Sequence, residues 1–320
     1  MLRRKFIQRS LAAGVGLSTL PVWGNPLLAS TAETAPFFKL SLAQWSLHRS
    51  IWENKISPYD FAEKASTMGF EGLEYVNGLY ADVMKANNKK QALEKFIARS
   101  NEKAAQHNVK NLLIMIDGEG DLVVPDKKER NTAIEQHKPW IETAAAMDCH
   151  SIRINLFGER NREEWKKRAA ESMRALGEFA QGYNINILVE NHGYLSSDAA
   201  LVMAMLDDVQ LPNCGTLPDF GNFCLAREQG ERWDGECIRR YNAYQGVEEM
   251  LPKAFAVSAK SYAFDDSGKE TTIDYARMIA LVKASGYRGY IGVEYEGDDR
   301  SEEDGILATR NLLRKVAAPT

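Results

Sequence analysis

Residues 184–193 read N-I-N-I-L-V-E-N-H-G. A short apolar run ends in an acid, an amide and an imidazole. That is the pattern of a buried parallel strand whose carboxyl end opens into a polar site. Two later stretches end alike: residues 214–222, C-G-T-L-P-D-F-G-N, and residues 290–297, Y-I-G-V-E-Y-E-G. Each places a carboxylate, Glu190, Asp219 or Glu294, at the same point of its strand. Three acids at three equivalent strand ends point to one shared site around a hard cation, because such ions take carboxylate oxygens.

Outward from these strands the chain alternates. From residue 38, short β-rich runs are followed by longer stretches at helical period. Strands are expected at 39–45, 72–76, 110–116, 151–156, 186–190, 215–219, 254–258 and 290–294. Helices are expected near 58–68, 90–107, 131–147, 162–183, 197–207, 247–253 and 273–285, with a last one near 302–315. Ser57-Pro58, Ser197-Asp198 and Thr272 supply start signals, and Gly69 and Gly286 follow their helices as caps do. The segments K-A-S-T-M-G-F-E-G and K-A-S-G-Y-R-G-Y lead into the second and eighth strands alike. Repeated β-α units without an antiparallel signal predict an α/β fold, a (β/α)8 barrel. A doubly wound sheet would need a glycine-rich phosphate turn after an early strand. The pair Gly118 and Gly120 follows the third strand and lacks the third glycine.

The chain has 320 residues and a net charge of −4, with no basic run beyond its N-terminus. A nucleic-acid partner is therefore not expected, since phosphate neutralisation needs clustered Lys and Arg. The start differs: Arg3-Arg4-Lys5-Phe6-Ile7 precedes a weakly apolar, Ala- and Gly-rich segment, then Pro21, Pro26 and small residues to Ala35. Residues 1–35 resemble a twin-arginine export signal, which implies a periplasmic protein without stable membrane association after export. Residues 36–320 then form a single barrel domain.

Four cysteines occur and none forms a C-x-x-C pair, so a zinc ribbon and a thioredoxin-like site are excluded. Cys149 and Cys214 open apolar strands and read as buried thiols. Cys224 and Cys237 lie in a long connection, residues 223–246, together with Arg227, Arg232, Trp233, Arg239, Arg240, Tyr241 and Tyr244. A connection of this length is either a lid over the site or a surface helix on the barrel rim. Its two cysteines are either a disulfide, given an oxidising destination, or two separate thiols.

A barrel carries its site at the carboxyl ends of the strands. Those ends hold Gln44 and Trp45, Glu74, Asp117, Arg153 and Asn155, Glu190 and His192, Asp219 and Asn222, Ser258 and Lys260, and Glu294. From these, Trp45, Glu74, Arg153, His192, Asn222 and Lys260 are the candidate substrate contacts. Arg153 and Lys260 have a second reading, neutralising the carboxylates. His48 is expected in a loop, and His107, His137 and His150 in structural positions.

The motifs V-E-N-H-G, P-D-F-G-N, S-A-K-S and G-V-E-Y-E-G, in that order, resemble the xylose isomerase-like TIM barrels. That family includes sugar and sugar-phosphate isomerases and epimerases, ketose 3-epimerases and inosose dehydratases. The resemblance implies a divalent metal, Mn²⁺ or Mg²⁺, held by Glu190, Asp219, the position of Ser258, and Glu294. Ser258-Ala259-Lys260 stands where relatives have His-x-Lys. A hydroxyl in place of an imidazole shifts preference towards Mg²⁺, Mn²⁺ or Ca²⁺ and away from zinc. The expected activity is a metal-dependent sugar isomerase or epimerase that abstracts a proton next to a carbonyl, through an enediolate, with Glu190 and Glu294 as base and acid. The alternatives are a keto-glycoside lyase or hydrolase on the same barrel, and a carbohydrate-binding barrel without catalysis. The partner in each case is a small sugar.

Overall fold

The computed structural model describes residues 36–230 and 232–318; the expected export signal at 1–35 lies outside the described residues. Eight parallel strands make one sheet: β1 (Lys39–Ala43), β2 (Gly72–Val76), β3 (Lys110–Met115), β4 (Ser151–Ile154), β5 (Asn186–Glu190), β6 (Cys214–Leu217), β9 (Val257–Ser261) and β10 (Tyr290–Tyr295). The connection after β6 adds an antiparallel pair, β7 (Cys224–Arg227) and β8 (Cys237–Arg240). The sheet runs β6-β5-β4-β3-β2-β1-β10-β9. Its two outer strands meet through parallel bridges, Thr216 with Ala254 and Asp219 with Ser258. The second bridge is made by Ser258 N–H to Pro218 O at 3.0 Å and Phe220 N–H to Ser258 O at 3.1 Å. The fold is a (β/α)8 barrel, as the alternation predicts.

The helices are α1 (His48–Trp52), α2 (Phe61–Thr67), α3 (Ala81–Met84), α4 (Lys89–Gln106), α5 (Lys127–Ala146), α6 (Arg162–Gln181), α7 (Ala199–Val209), α8 (Ala243–Met250), α9 (Tyr275–Ala284) and α10 (Glu302–Ala317). Their starts follow side-chain caps. Asp126 accepts from Glu129 N–H at 2.7 Å, so α5 begins four residues before the apolar period does. Asn242 accepts from Gln245 N–H at 3.1 Å and draws α8 forward in the same way. At α7 the cap is Asp198, not Ser197, whose hydroxyl bonds Asn222 O instead. His48 opens α1 rather than lying in a loop, stacked at 4.4 Å on Trp45.

Strand parity decides what enters the barrel. In β5, Ile187 and Val189 face the helix layer, while Leu188 and Glu190 face inward; all are buried. In β10 the inward row is Gly292 and Glu294, with Glu296 continuing it one residue past the strand's end. A Cβ at residue 292 would lie 2.5 Å from both Glu74 carboxyl oxygens. Glycine there makes room for a buried acid below the row of site residues. The seventh barrel strand spans Val257–Ser261, three residues later than the apolar run suggests. Ser258 and Lys260 therefore lie within a strand and share one face.

Candidate active site

Glu190, Asp219 and Glu294 converge. One carboxylate oxygen from each lies within 4.8 Å of the others, and all three side chains are buried. Their neighbours hold them there. Asp219 Oδ1 receives the Gly221 and Asn222 N–H groups, each at 2.8 Å, in an Asx turn. Glycine at 221 leaves room for Tyr262, whose hydroxyl would lie 2.5 Å from a Cβ there. Ser258 Oγ lies 2.6 Å from Asp219 Oδ2 and 2.8 Å from Glu294 Oε2. One hydroxyl proton serves one of these bonds at a time, so the second pair of oxygens needs a further proton or cation.

Two buried cations flank the cluster. Lys260 Nζ is 3.0 Å from Glu294 Oε1 and 3.1 Å from Glu296 Oε2. Arg153 donates from Nη1 to Asp117 Oδ1 at 2.9 Å, and its Nε lies 2.9 Å from Glu190 Oε2. The Nε contact is an ion pair whose angle does not make a hydrogen bond. Asn222 Nδ2 donates to Glu190 Oε1 at 3.2 Å. Burial pushes Glu190 up to about 7, with Arg153 opposing and Glu294 adding to the rise. Burial likewise pushes Asp219 up to about 8, against the pull of Lys260. Burial alone would lower Lys260, but Glu294, Glu296 and Asp219 outweigh it and keep an ammonium there. The cluster is thus short of positive charge even with Lys260 and Arg153 in place. Its donor set, carboxylate and hydroxyl oxygens beside a pocket, fits a hard divalent ion.

Through Glu294 the cluster borders a cavity of about 1550 Å³, lined also by Trp45, Arg153, His192, Asn222 and Trp233 among others. Such a volume exceeds the roughly 300–1,000 Å³ of ordinary ligand pockets. Glu190, Asp219 and Ser258 lie behind its wall, and so do Glu74 and Lys260. Glu74 sits beneath, where Ser41 Oγ donates to its Oε1 at 2.6 Å and Oε2 has no partner. Burial pushes its carboxyl up to about 8. Glu74, expected as a substrate contact, is 1% exposed and lies beneath the carboxylate cluster. Lys260 is 1% exposed and takes the neutralising position of its two readings.

The long connection is neither a rim helix nor free of antiparallel pairing. It is the β7–β8 hairpin, closed by a Cys224–Cys237 disulfide with Cα atoms 5.9 Å apart. Cys149 and Cys214 are the buried thiols the sequence suggests. The hairpin tip reaches across the mouth: Arg232 bonds Asp121 at 2.7 Å, and Arg160 and the Tyr194 hydroxyl each bond Gly230 O at 2.8 Å. Trp233 packs on His192 at 4.8 Å and on Phe157 at 5.5 Å. Tyr241 also lines the cavity, its hydroxyl tied to Glu249 at 2.7 Å. Sequence reasoning did not single out Trp52, Asp121, Tyr262 or Glu296, all of which line this cavity. Glu296 was legible, since it stands two residues after Glu294 and shares its strand face. Asp121 carries no local signal; only its ion pair with Arg232 reveals it.

Comparison with known proteins agrees with this architecture. Residues over 74 positions are 38% identical to the C-glycoside deglycosidase alpha subunit of Arthrobacter globiformis, a match covering 21% of this chain and 21% of that relative. The chain thus matches about a fifth of that relative's length. The crystal structure of 3-keto-D-glucoside 4-epimerase from E. coli superposes with a TM-score of 0.63 at 14% identity, over 81% of this chain and 94% of the other. A structure of the IOLI protein with a bound zinc atom gives a TM-score of 0.63 at 15% identity, over 88% and 98% of the two chains. At such identities the structural likeness shows the fold alone. The sequence profile of the xylose isomerase-like TIM barrels matches residues 62–316, and the chain belongs to that family.

Proposed function

We propose that this protein is a metal-dependent enzyme that abstracts a proton next to the carbonyl of an unphosphorylated sugar, giving isomerisation or epimerisation. The observation that carries this reading is the convergence of Glu190, Asp219 and Glu294 within 4.8 Å, with Glu294 on the wall of a cavity. Those three residues would hold Mn²⁺ or Mg²⁺, with the Ser258 hydroxyl beside them. A bound ion supplies positive charge to the oxygen that becomes anionic as the proton leaves. Glu190, pushed up to about 7, has a proton affinity suited to taking a proton near neutral pH. Glu294, beside Lys260, would enter the step protonated and give its own proton from the other side, Glu190 keeping the one it took until both exchange with solvent. Arg153 and Asn222 fix the Glu190 carboxyl, and Trp45, His192 and Trp233 offer the stacking and hydrogen-bonding surface a sugar ring needs.

A second reading, elimination from a keto-glycoside, is favoured by two observations. The cavity is larger than one sugar ring requires, and the partial likeness to the deglycosidase subunit points to glycosides. There the same proton abstraction expels a group β to the carbanion. The reading also includes export to the periplasm, which the Cys224–Cys237 disulfide supports, because such bonds persist in oxidising compartments.

The test is turnover. Purified protein with added Mn²⁺ is incubated with ketoses and with 3-keto-glucosides, and products are followed by NMR in D₂O. Deuterium incorporation next to the carbonyl is expected, and Glu190→Gln and Glu294→Gln should abolish it. Sugar binding without exchange or product would leave a carbohydrate-binding barrel instead.

A further inference from the structure

The bonds around His192 fix which of its nitrogens carries hydrogen. Asn155 Nδ2 lies 2.7 Å from Asp117 Oδ1 and 3.5 Å from Ile116 O. Asp117 Oδ1 also receives Arg153 Nη1 at 2.9 Å, so it acts as an acceptor towards both. Two acceptors on one side orient the Asn155 amide, with its nitrogen towards them and its oxygen away. That oxygen is 2.7 Å from His192 Nδ1. An amide oxygen only accepts, so the hydrogen between them sits on Nδ1. A neutral imidazole protonated at Nδ1 has a bare lone pair at Nε2. Among the described residues no hydrogen bond engages Nε2 of His192, although the ring packs against Trp233 and Phe157 and forms part of the cavity wall. A ring so held on one nitrogen and free on the other is built to meet a donor from the cavity.

We propose that Asp117 and Asn155 are positioning residues that lock His192 in the Nδ1–H tautomer, so that Nε2 accepts a hydrogen bond from a ligand hydroxyl. The lock stands on geometry alone; the hydroxyl donor rests on the sugar reading above. The consequence is selectivity. A lone pair at this point accepts a neutral O–H and repels a phosphate or carboxylate oxygen, which has no hydrogen to offer. The ligand therefore carries a free hydroxyl, not an anionic substituent, where it meets His192.

The experiment uses the full chain, labelled with ¹⁵N-histidine and assigned with His192→Phe. Two-bond ¹⁵N spectra separate the tautomers. The wild type should show Nδ1–H at His192, against the Nε2–H form that free histidine prefers. Asn155→Leu should swing His192 to Nε2–H and weaken binding of methyl 3-keto-β-D-glucopyranoside about tenfold in calorimetry, one hydrogen bond's worth. A wild type with Nε2–H overturns the lock, and that spectrum decides even if Asn155→Leu does not fold. A tautomer swing with unchanged affinity overturns the acceptor role. A wild type that is Nδ1–H and binds neither this glycoside nor a ketose upholds the lock while sinking the sugar reading.

Discussion

Ser258 Oγ lies 2.6 Å from Asp219 Oδ2, where β9 meets the turn after β6. Residue 258 therefore faces the carboxylate cluster instead of turning away. It also closes the barrel, since its backbone bridges Asp219. Ser258→His should raise affinity for Mn²⁺ or Co²⁺ by about tenfold or more, because imidazole is the stronger donor to these ions. Titration calorimetry on both proteins is the measurement. Equal affinities would show that residue 258 does not reach the ion.

Metal binding should depend on pH in a defined direction. Glu190 at about 7 and Asp219 at about 8 both hold protons near neutrality, and a ligand carboxylate must lose its proton. Affinity for Mn²⁺ should rise as pH increases from 6 to 8, with proton release seen as a buffer-dependent enthalpy. Lys260→Met should shift the rise to higher pH, since the ammonium opposes both upward shifts. An affinity flat across this range would mean that the carboxylates are already ionised.

Glu74 is a stability prediction. Its carboxyl is raised to about 8 from 4.5 by burial, with Ser41 holding one oxygen and the other unpaired. A carboxyl raised on folding contributes stability that is fully present below its unfolded value and lost as pH rises through the folded one. The wild-type Tm in EDTA should thus fall between pH 5 and 8, by up to about 1.4 kcal/mol of stability for each pH unit crossed. Glu74→Gln, neutral throughout, should flatten this slope and be the more stable protein at pH 8. Parallel Tm curves for the two proteins would place Glu74 in a solvated setting after all.

The hairpin should separate sugar binding from metal binding. Cys224→Ser with Cys237→Ser removes a closure across 13 positions. The pair β7–β8 lies outside the barrel sheet, so the barrel's Tm should move little, while proteolysis within residues 224–240 accelerates. Trp233→Ala should weaken sugar binding two- to tenfold, the worth of roughly 0.5–1.5 kcal/mol of aromatic stacking. Mn²⁺ affinity should stay unchanged in both variants. Normal sugar binding by both would make the hairpin a surface insertion.

The eight barrel strands and the identity of the three acids were legible in the sequence because both are local. A strand buried on two faces is a continuous apolar run, and a site at its end interrupts that run with a carboxylate. Glu190, Asp219 and Glu294 could be read in this way from three separate stretches. The fates of Glu74 and Lys260 could not. Both look like further polar strand ends, but one lies under the pocket where Gly292 leaves room, and the other is spent on Glu294 and Glu296. The register between neighbouring strands decides that depth, and register is a property of pairing across the sheet. The same holds for the mouth. The sequence fixes that Cys224, Arg232, Trp233 and Cys237 share one connection; only the folded chain sets Trp233 on His192, and Arg232 on Asp121, 111 residues away. Periodicity is written residue by residue, whereas these contacts join segments that no local pattern links, and barrel closure alone brings them together.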